Sequence, residues 1–217
     1  MSRPHRIALI HALAHSVAPI NAALERDWPE ALRMNLLDDS LSADLARSAQ
    51  GLDAAMHARF QQLAQYAVDT GAHGILFTCS AFGPCIEAVA RTHAGMPVLK
   101  PNEAMVDEAA EGEGPLGLIA TFAPTLASMP PEFPAHVVLM PALAEGALAA
   151  LNAGDGERHD ALIAAEAKAL RDRGCTRIAL AQFSMARARG ACRAATGLPV
   201  LTTVDSAVRA LRRRLQA

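Results

Sequence analysis

Along the whole chain, short continuous apolar runs alternate with longer stretches in which apolar residues recur at three-to-four-residue steps. The first pattern predicts strands buried on both faces and the second predicts amphipathic helices. Their alternation predicts an α/β fold of parallel strands joined by crossover helices. Eight strands are expected, at about Arg6–His11, Leu32–Leu37, Gly74–Thr78, Val98–Lys100, Leu116–Thr121, His136–Met140, Arg177–Ala181 and Pro199–Thr202. Leu41, Leu45, Leu52, Met56, Phe60, Leu63 and Ala67 predict one apolar helix face ending at Gly71, and a second helix is expected over Asp160–Arg173, ending at Gly174. Both glycines stand where a helix C-terminus favours a left-handed residue.

The strands repeat. IALIHA from Ile7 lies on LGLIAT from Leu116, a shift of 109 positions, and GMPVL from Gly95 lies on GLPVL from Gly197, a shift of 102. Between these anchors ILFTCSAF from Ile75 lies on IALAQFSM from Ile178, a shift of 103, so Cys79 meets Gln182. A one-residue slip would bring Ala181 or Phe183 there instead, and none of the three transfers protons. The repeat predicts two pseudo-symmetric parallel four-strand αβα halves with the active-site cleft between them, because open α/β sheets bind ligands beyond the carboxyl ends of their strands. The first lobe is expected over residues 1–97 and 204–217 and the second over 98–203, with Asp107–Pro115 (DEAAEGEGP) as connector.

Composition narrows the function. The 217 residues are 52% hydrophobic with a formal charge of −2, one Trp and one Tyr, which argues against a nucleic-acid surface. The basic stretch Arg209–Arg214 reads as a solvated helix end complementing the helix dipole. No apolar run is long enough to cross a bilayer, and no signal-peptide pattern is visible, so a cytoplasmic location is expected. Cys79, Cys85, Cys175 and Cys192 are then reduced thiols; none forms a Cys-x-x-Cys pair, and no structural metal is expected.

The candidate chemistry lies at strand ends. Cys79 closes a buried strand in GILFTCSAFGPC, where a following helix N-terminus would favour the thiolate. The N–H groups of Ser80 and Ala81 would form an anion cradle, with Phe183 and Ser184 supplying a second one beside Gln182. The alternative for Cys79 is a small buried hydrophobe. Thr121 and Thr125, in LIATFAPTL, would hold a carboxylate or an amine, or else cap a helix. His11 is a polar group whose ring could reach a substrate or Cys79; its spacing from His15 is a weak metal signal. Cys85 and Cys192 read as buried, and Asn102, Glu103 and Asp205 as helix caps.

The duplicated halves, the strand end TCSAFG, the turn LIATFAPTL, and PVLKPNEA with its echo PVLTTVDSA resemble the aspartate/glutamate/hydantoin racemase superfamily. The resemblance covers most of the chain. It implies an isomerase that uses no cofactor and places one cysteine on each side of an α-carbon, one taking the proton and the other returning it. Cys79 matches the first cysteine and Gln182 departs from the second. Arylmalonate decarboxylase, similar to these racemases, works with one cysteine, the one in the second half; this chain keeps the opposite one.

The resemblance therefore implies proton transfer by Cys79 at the carbon next to a carboxylate of a small amino acid or related acid. His11, Ser80, Ala81, Thr121, Thr125, Gln182, Phe183 and Ser184 are the expected substrate-binding residues. A decarboxylase of a malonate-like acid and a non-catalytic small-carboxylate binder are the alternatives. A homo-oligomer is compatible with the resemblance, which locates no interface.

Overall fold

The computed structural model describes residues 4–216; residues 1–3 and 217 of the expected first lobe lie outside them. The described residues pack as two units, 4–101 with 207–216 and 102–206. The first holds β1 Arg6–His11, α1 Val17–Asp27, β2 Leu32–Leu37, α2 Ser40–Arg47, α3 Ala54–Asp69, β3 Gly74–Phe77, α4 Gly83–Thr92 and β4 Val98–Leu99. In the second lie α5 Glu103–Glu111, β5 Leu116–Ala120, α6 Ala123–Ser128, β6 Leu139–Leu143, α7 Ala147–Asn152, α8 Gly156–Asp172, β7 Arg177–Leu180, α9 Arg189–Thr196 and β8 Val200–Thr202, and α10 Thr203–Gln216 closes the chain.

Both sheets are parallel and share one strand order, β2-β1-β3-β4 in the first and β6-β5-β7-β8 in the second. Their registers repeat as well. Ile10 pairs with Phe77 in the first sheet and Ile119 with Leu180 in the second. With β1 laid on β5, the ladders bring Phe77 onto Leu180, and two residues further on Cys79 falls on Gln182. A one-residue slip would break this correspondence of ladders. The central strands β1, β3, β5 and β7 are almost wholly buried, as covered parallel strands must be.

In the first unit the aliphatic core holds a cluster of three phenylalanines. Phe60 of α3 stacks on Phe77 of β3 at 5.3 Å and meets Phe82 at 5.0 Å, all three buried. This cluster lies directly beneath the turn that carries Cys79. Gly74 leaves room for α10: an added Cβ would sit 3.1 Å from Leu211 Cδ1 and 3.2 Å from Leu215 Cδ1.

Four expectations are corrected. The long apolar face from Leu41 to Ala67 is two helices, α2 and α3. Gly51 at φ 66° breaks it, and Asp53 starts α3 by accepting the Met56 N–H. Strand β6 runs three residues later than expected and contains Pro141, opposite Leu118. Proline is tolerated there because β6 is an edge strand, whose outward N–H is not needed for pairing. The expected connector is helical up to Glu111, within α5. The helix before Gly174 begins at Gly156, where Asp155 accepts the Arg158 N–H. Gly71 and Gly174 do adopt the left-handed conformation just past their helices, at φ 80° and 98°.

Candidate functional site

The sequence-predicted residues fall into two groups, one in each unit. In the first unit β3 ends at Phe77, and Cys79 caps a 3₁₀ turn over Ser80–Phe82 with extended backbone. Of the four cysteines, all free thiols, Cys79 is half-buried while Cys85, Cys175 and Cys192 are buried. Burial lifts the Cys192 thiol to about 12, with the Asp160 carboxylate adding to the shift.

Burial also pushes the Cys79 thiol up, against the Ala81 N–H and the Ser42 hydroxyl, both of which pull it down. The expected thiolate is therefore not the favoured form in the ligand-free protein. The physical reason is local. The α-helix proper starts at Gly83, beyond the interposed 3₁₀ turn, and a helix dipole acts mainly within its first turn. Cys79 meanwhile lines a narrow, mostly apolar crevice with Ile10, His11, Ala12, Leu41, Phe60 and Phe77, which disfavours a charge. The Ala81 N–H lies close enough to this sulfur to pull its pKa down. Ser80 is half-buried and Ala81 exposed.

Ser42, which sequence reasoning missed, sits on α2 and its hydroxyl donates to the Ala12 carbonyl at 3.1 Å. Arg59 of α3 pins the segment around it, with N–O distances of 2.6 Å to Asp38 and to Asp44 and a bond to Ser40 Oγ of 2.6 Å. The only sequence signal for Ser42 was a hydroxyl in the first turn of the helix after β2.

His11 is fully buried at the end of β1. Its Nε2 lies 3.0 Å from Asn35 Oδ1 and its Nδ1 2.9 Å from Thr78 Oγ1. The proton order follows from a backbone carbonyl. Val17 O can only accept, so the Asn21 atom 2.7 Å away is Nδ2, which also donates to Asn35 Oδ1 at 2.9 Å. Asn35 Oδ1 then accepts from His11 Nε2–H, and His11 Nδ1 accepts from the Thr78 hydroxyl. Burial lowers the His11 pKa, partly offset by the Asn35 bond, so the ring is neutral at neutral pH. While these bonds hold, neither ring nitrogen is left for a substrate. The ring instead ties the strand that precedes Cys79 to β2.

In the second unit Gln182 caps a 3₁₀ segment over Phe183–Ala188 with the same extended backbone as Cys79. Its Oε1 accepts two hydrogen bonds from one residue, the Thr121 N–H at 2.7 Å and the Thr121 hydroxyl at 3.0 Å. Thr121 is thus committed to Gln182 and caps no helix. Thr125 is buried in α6 and makes no side-chain cap either. Phe183 and Ser184 are buried at the start of the 3₁₀ segment. Phe122, between the two threonines, is 49% exposed. Asn102 precedes α5 without a side-chain cap. Asp205 does take part in a reciprocal cap: Thr202 Oγ1 accepts the Asp205 N–H at 3.0 Å and donates to Asp205 Oδ2 at 2.8 Å. Arg189 Nη1 also bonds that carboxylate at 3.0 Å.

Among the described residues no group of three or more His, Cys, Asp or Glu is placed to hold a metal ion. None of their helices is long and apolar enough to cross a membrane.

The family model for Asp/Glu/Hydantoin racemase matches residues 14–211. The chain belongs to the Asp/Glu/Hydantoin racemase family. Members of this racemase superfamily are isomerases, and the chain is an enzyme of the racemase type. No curated protein matches it by sequence. Solved racemase structures share its fold at low identity. An allantoin racemase from Klebsiella pneumoniae is 19% identical, with a TM-score of 0.74 over 96% of this chain and 86% of that one. A glutamate racemase from Bacillus anthracis is 10% identical, with a TM-score of 0.73 over 99% and 83%. A glutamate racemase from Francisella tularensis, solved with D-glutamate, is 16% identical, with a TM-score of 0.65 over 99% and 82%.

Proposed function

We propose that this member of the racemase family is a cofactor-independent isomerase that moves a proton at the carbon next to a carboxylate of a small amino acid or related acid, with Cys79 as the proton-transferring group. One observation carries the reading. Cys79 is the half-buried cysteine at the carboxyl end of β3, and its sulfur is faced by the Ala81 N–H and the Ser42 hydroxyl, while the other three cysteines are buried. The family membership and the neighbour solved with D-glutamate support an α-carbon acid as substrate.

In this reaction the thiolate takes the α-proton, and the C–H electron pair moves into the carboxylate as an enediolate. A proton from solvent on the face opposite Cys79 then reaches the carbon, and the Cys79 thiol gives its proton back to solvent to complete the turnover. Within the same family a second reading is favoured by two specific observations. Burial holds Cys79 as a thiol, ready to donate, and its counterpart Gln182 is an amide that exchanges no proton. A malonate-like acid could lose carbon dioxide by C–C cleavage, leaving the electron pair as an enediolate that Cys79 S–H protonates; solvent then restores the thiol.

Deuterium oxide separates these outcomes. With amino acids, hydroxy acids, hydantoins and malonates as the panel, an isomerase exchanges the α-proton without losing carbon. A decarboxylase releases carbon dioxide and retains one deuterium. Binding of panel members with neither exchange nor gas release would overturn the enzymatic reading in favour of a small-carboxylate binder.

A further inference from the structure

The second unit carries a polar group whose orientation is set but whose donors are unused. A backbone N–H can only donate, so the Gln182 atom 2.7 Å from Thr121 N must be the amide oxygen. The Thr121 hydroxyl donates to the same oxygen at 3.0 Å. Two bonds therefore fix the rotation of the amide, and Nε2 is presented with no hydrogen-bond partner among the described residues. Gln182 is half-buried, so this NH₂ is accessible. The residue after Thr121, Phe122, is 49% exposed at a strand end, beside the exposed Ala123 and Pro124.

We infer that Gln182 and Phe122 form a carboxylate subsite in the second unit, which takes a small acid bearing an apolar or aryl substituent and rejects the isosteric amine. The oriented Nε2 offers only donors, and donors to an ionised carboxylate make the stronger hydrogen bonds. An ammonium group would meet N–H against N–H and gain nothing. The Phe122 ring adds apolar area that an acid substituent can cover. Gln182, at the register position of Cys79, thus recognises the ligand instead of exchanging its proton. The choice of an acid as ligand rests on the proposed reaction; the direction of the amide does not.

The probes are phenylacetate and its amine counterpart phenethylamine, titrated against the ¹⁵N-labelled full chain while the Gln182 side-chain amide resonances are followed. Phenylacetate should shift those resonances saturably and phenethylamine should not. Gln182→Glu keeps an oxygen to accept from Thr121 but turns the donor edge into a charged acceptor. It should weaken phenylacetate by about tenfold or more, the loss of one charge-assisted bond. If that variant does not fold, Gln182→Met removes the donors without adding charge and should weaken phenylacetate in the same direction. Phe122→Ala should weaken it severalfold.

Unchanged affinity in Gln182→Glu or Gln182→Met, equal shifts from both probes, or no saturable shift would each overturn the subsite. Running the titration and the turnover panel on the same unmodified protein separates the two ideas. A normal titration with no exchange or gas release overturns the proposed reaction alone. Turnover with silent Gln182 resonances overturns the subsite alone.

Discussion

Gln182 stands in the second unit where Cys79 stands in the first. Each lies two residues beyond the last rung of its central ladder, Phe77 with Ile10 and Leu180 with Ile119, and each has extended backbone at the mouth of a 3₁₀ turn. In the proposed reaction this pairing leaves proton transfer to one side chain. Cys79→Ala should therefore lower α-proton exchange, or carbon dioxide release, by about 10²–10⁴-fold, the usual contribution of a general acid–base group. Gln182→Ala should instead raise the KM for acids more than it lowers kcat. Steady-state kinetics on whichever substrate of the panel turns over checks both, and an equal loss of kcat in the two variants would contradict the division of roles.

The ionisation of Cys79 gives a second prediction. Burial raises this thiol, with the Ala81 N–H and Ser42 hydroxyl opposing. Alkylation by iodoacetamide at neutral pH should thus be slower than that of a free cysteine, and its rate should climb only above the ordinary thiol range. Ser42→Ala removes one opposing group and should move the midpoint of that profile further up. Arg59→Leu, which releases Asp38, Asp44 and Ser40, should move it the same way by loosening α2. Peptide mapping of the alkylated cysteine gives the site-specific rate; a midpoint below that of free cysteine would reverse the sign.

What was legible in the sequence was the part set by period and repetition. Continuous apolar runs mark buried parallel strands, and the echo of IALIHA in LGLIAT gave the register that the ladders share. The strand expected over His136–Met140 runs on through Pro141, because a proline is excluded only where its missing N–H is needed, and edge position is a property of the sheet rather than of the segment. Cys79 and Gln182 were visible as residues at strand ends. Their partners were not: Ser42 reaches the first site from 37 positions upstream and Thr121 reaches Gln182 across 61. Nor could the sequence weigh burial against a helix N-terminus at Cys79, since that balance depends on Phe60, Phe77 and Leu41 converging beside the sulfur.

His11 predicts an acid limb of stability. Burial lowers its pKa from the ordinary 6.5, so between that value and the folded one the unfolded chain binds more protons than the native state. Stability contributed by neutral His11 is present above 6.5 and is lost as pH falls through the lowered pKa. His11→Gln, which keeps an amide donor toward Asn35 without a titrating group, should flatten this part of the curve even if it costs stability at neutral pH. Urea unfolding across the acid range checks it; an unchanged slope would mean that the carboxylates alone govern that limb.

Two glycines predict opposite signs for one substitution. Gly117 lies inside β5, and an added Cβ would come within 2.8 Å of Leu170 Cδ1, 3.0 Å of Ile178 Cδ1 and 3.2 Å of Leu170 Cβ. The first two atoms are side-chain tips that could turn aside. The third is bound to the α8 backbone and moves only with the helix. Both neighbours are fully buried, so no open space receives the displaced atoms. Gly117→Ala should accordingly cost about 1–3 kcal/mol of overpacking, which outweighs the roughly 0.5–1 kcal/mol regained from a less flexible unfolded chain. Gly190, in the first turn of α9, has nothing within 4 Å of its added Cβ. Gly190→Ala should stabilise by about 0.4–1 kcal/mol through the unfolded state alone. Denaturant midpoints moving in opposite directions at unchanged m-value are the expected result; a neutral Gly117→Ala would mean that α8 shifts outward at little cost.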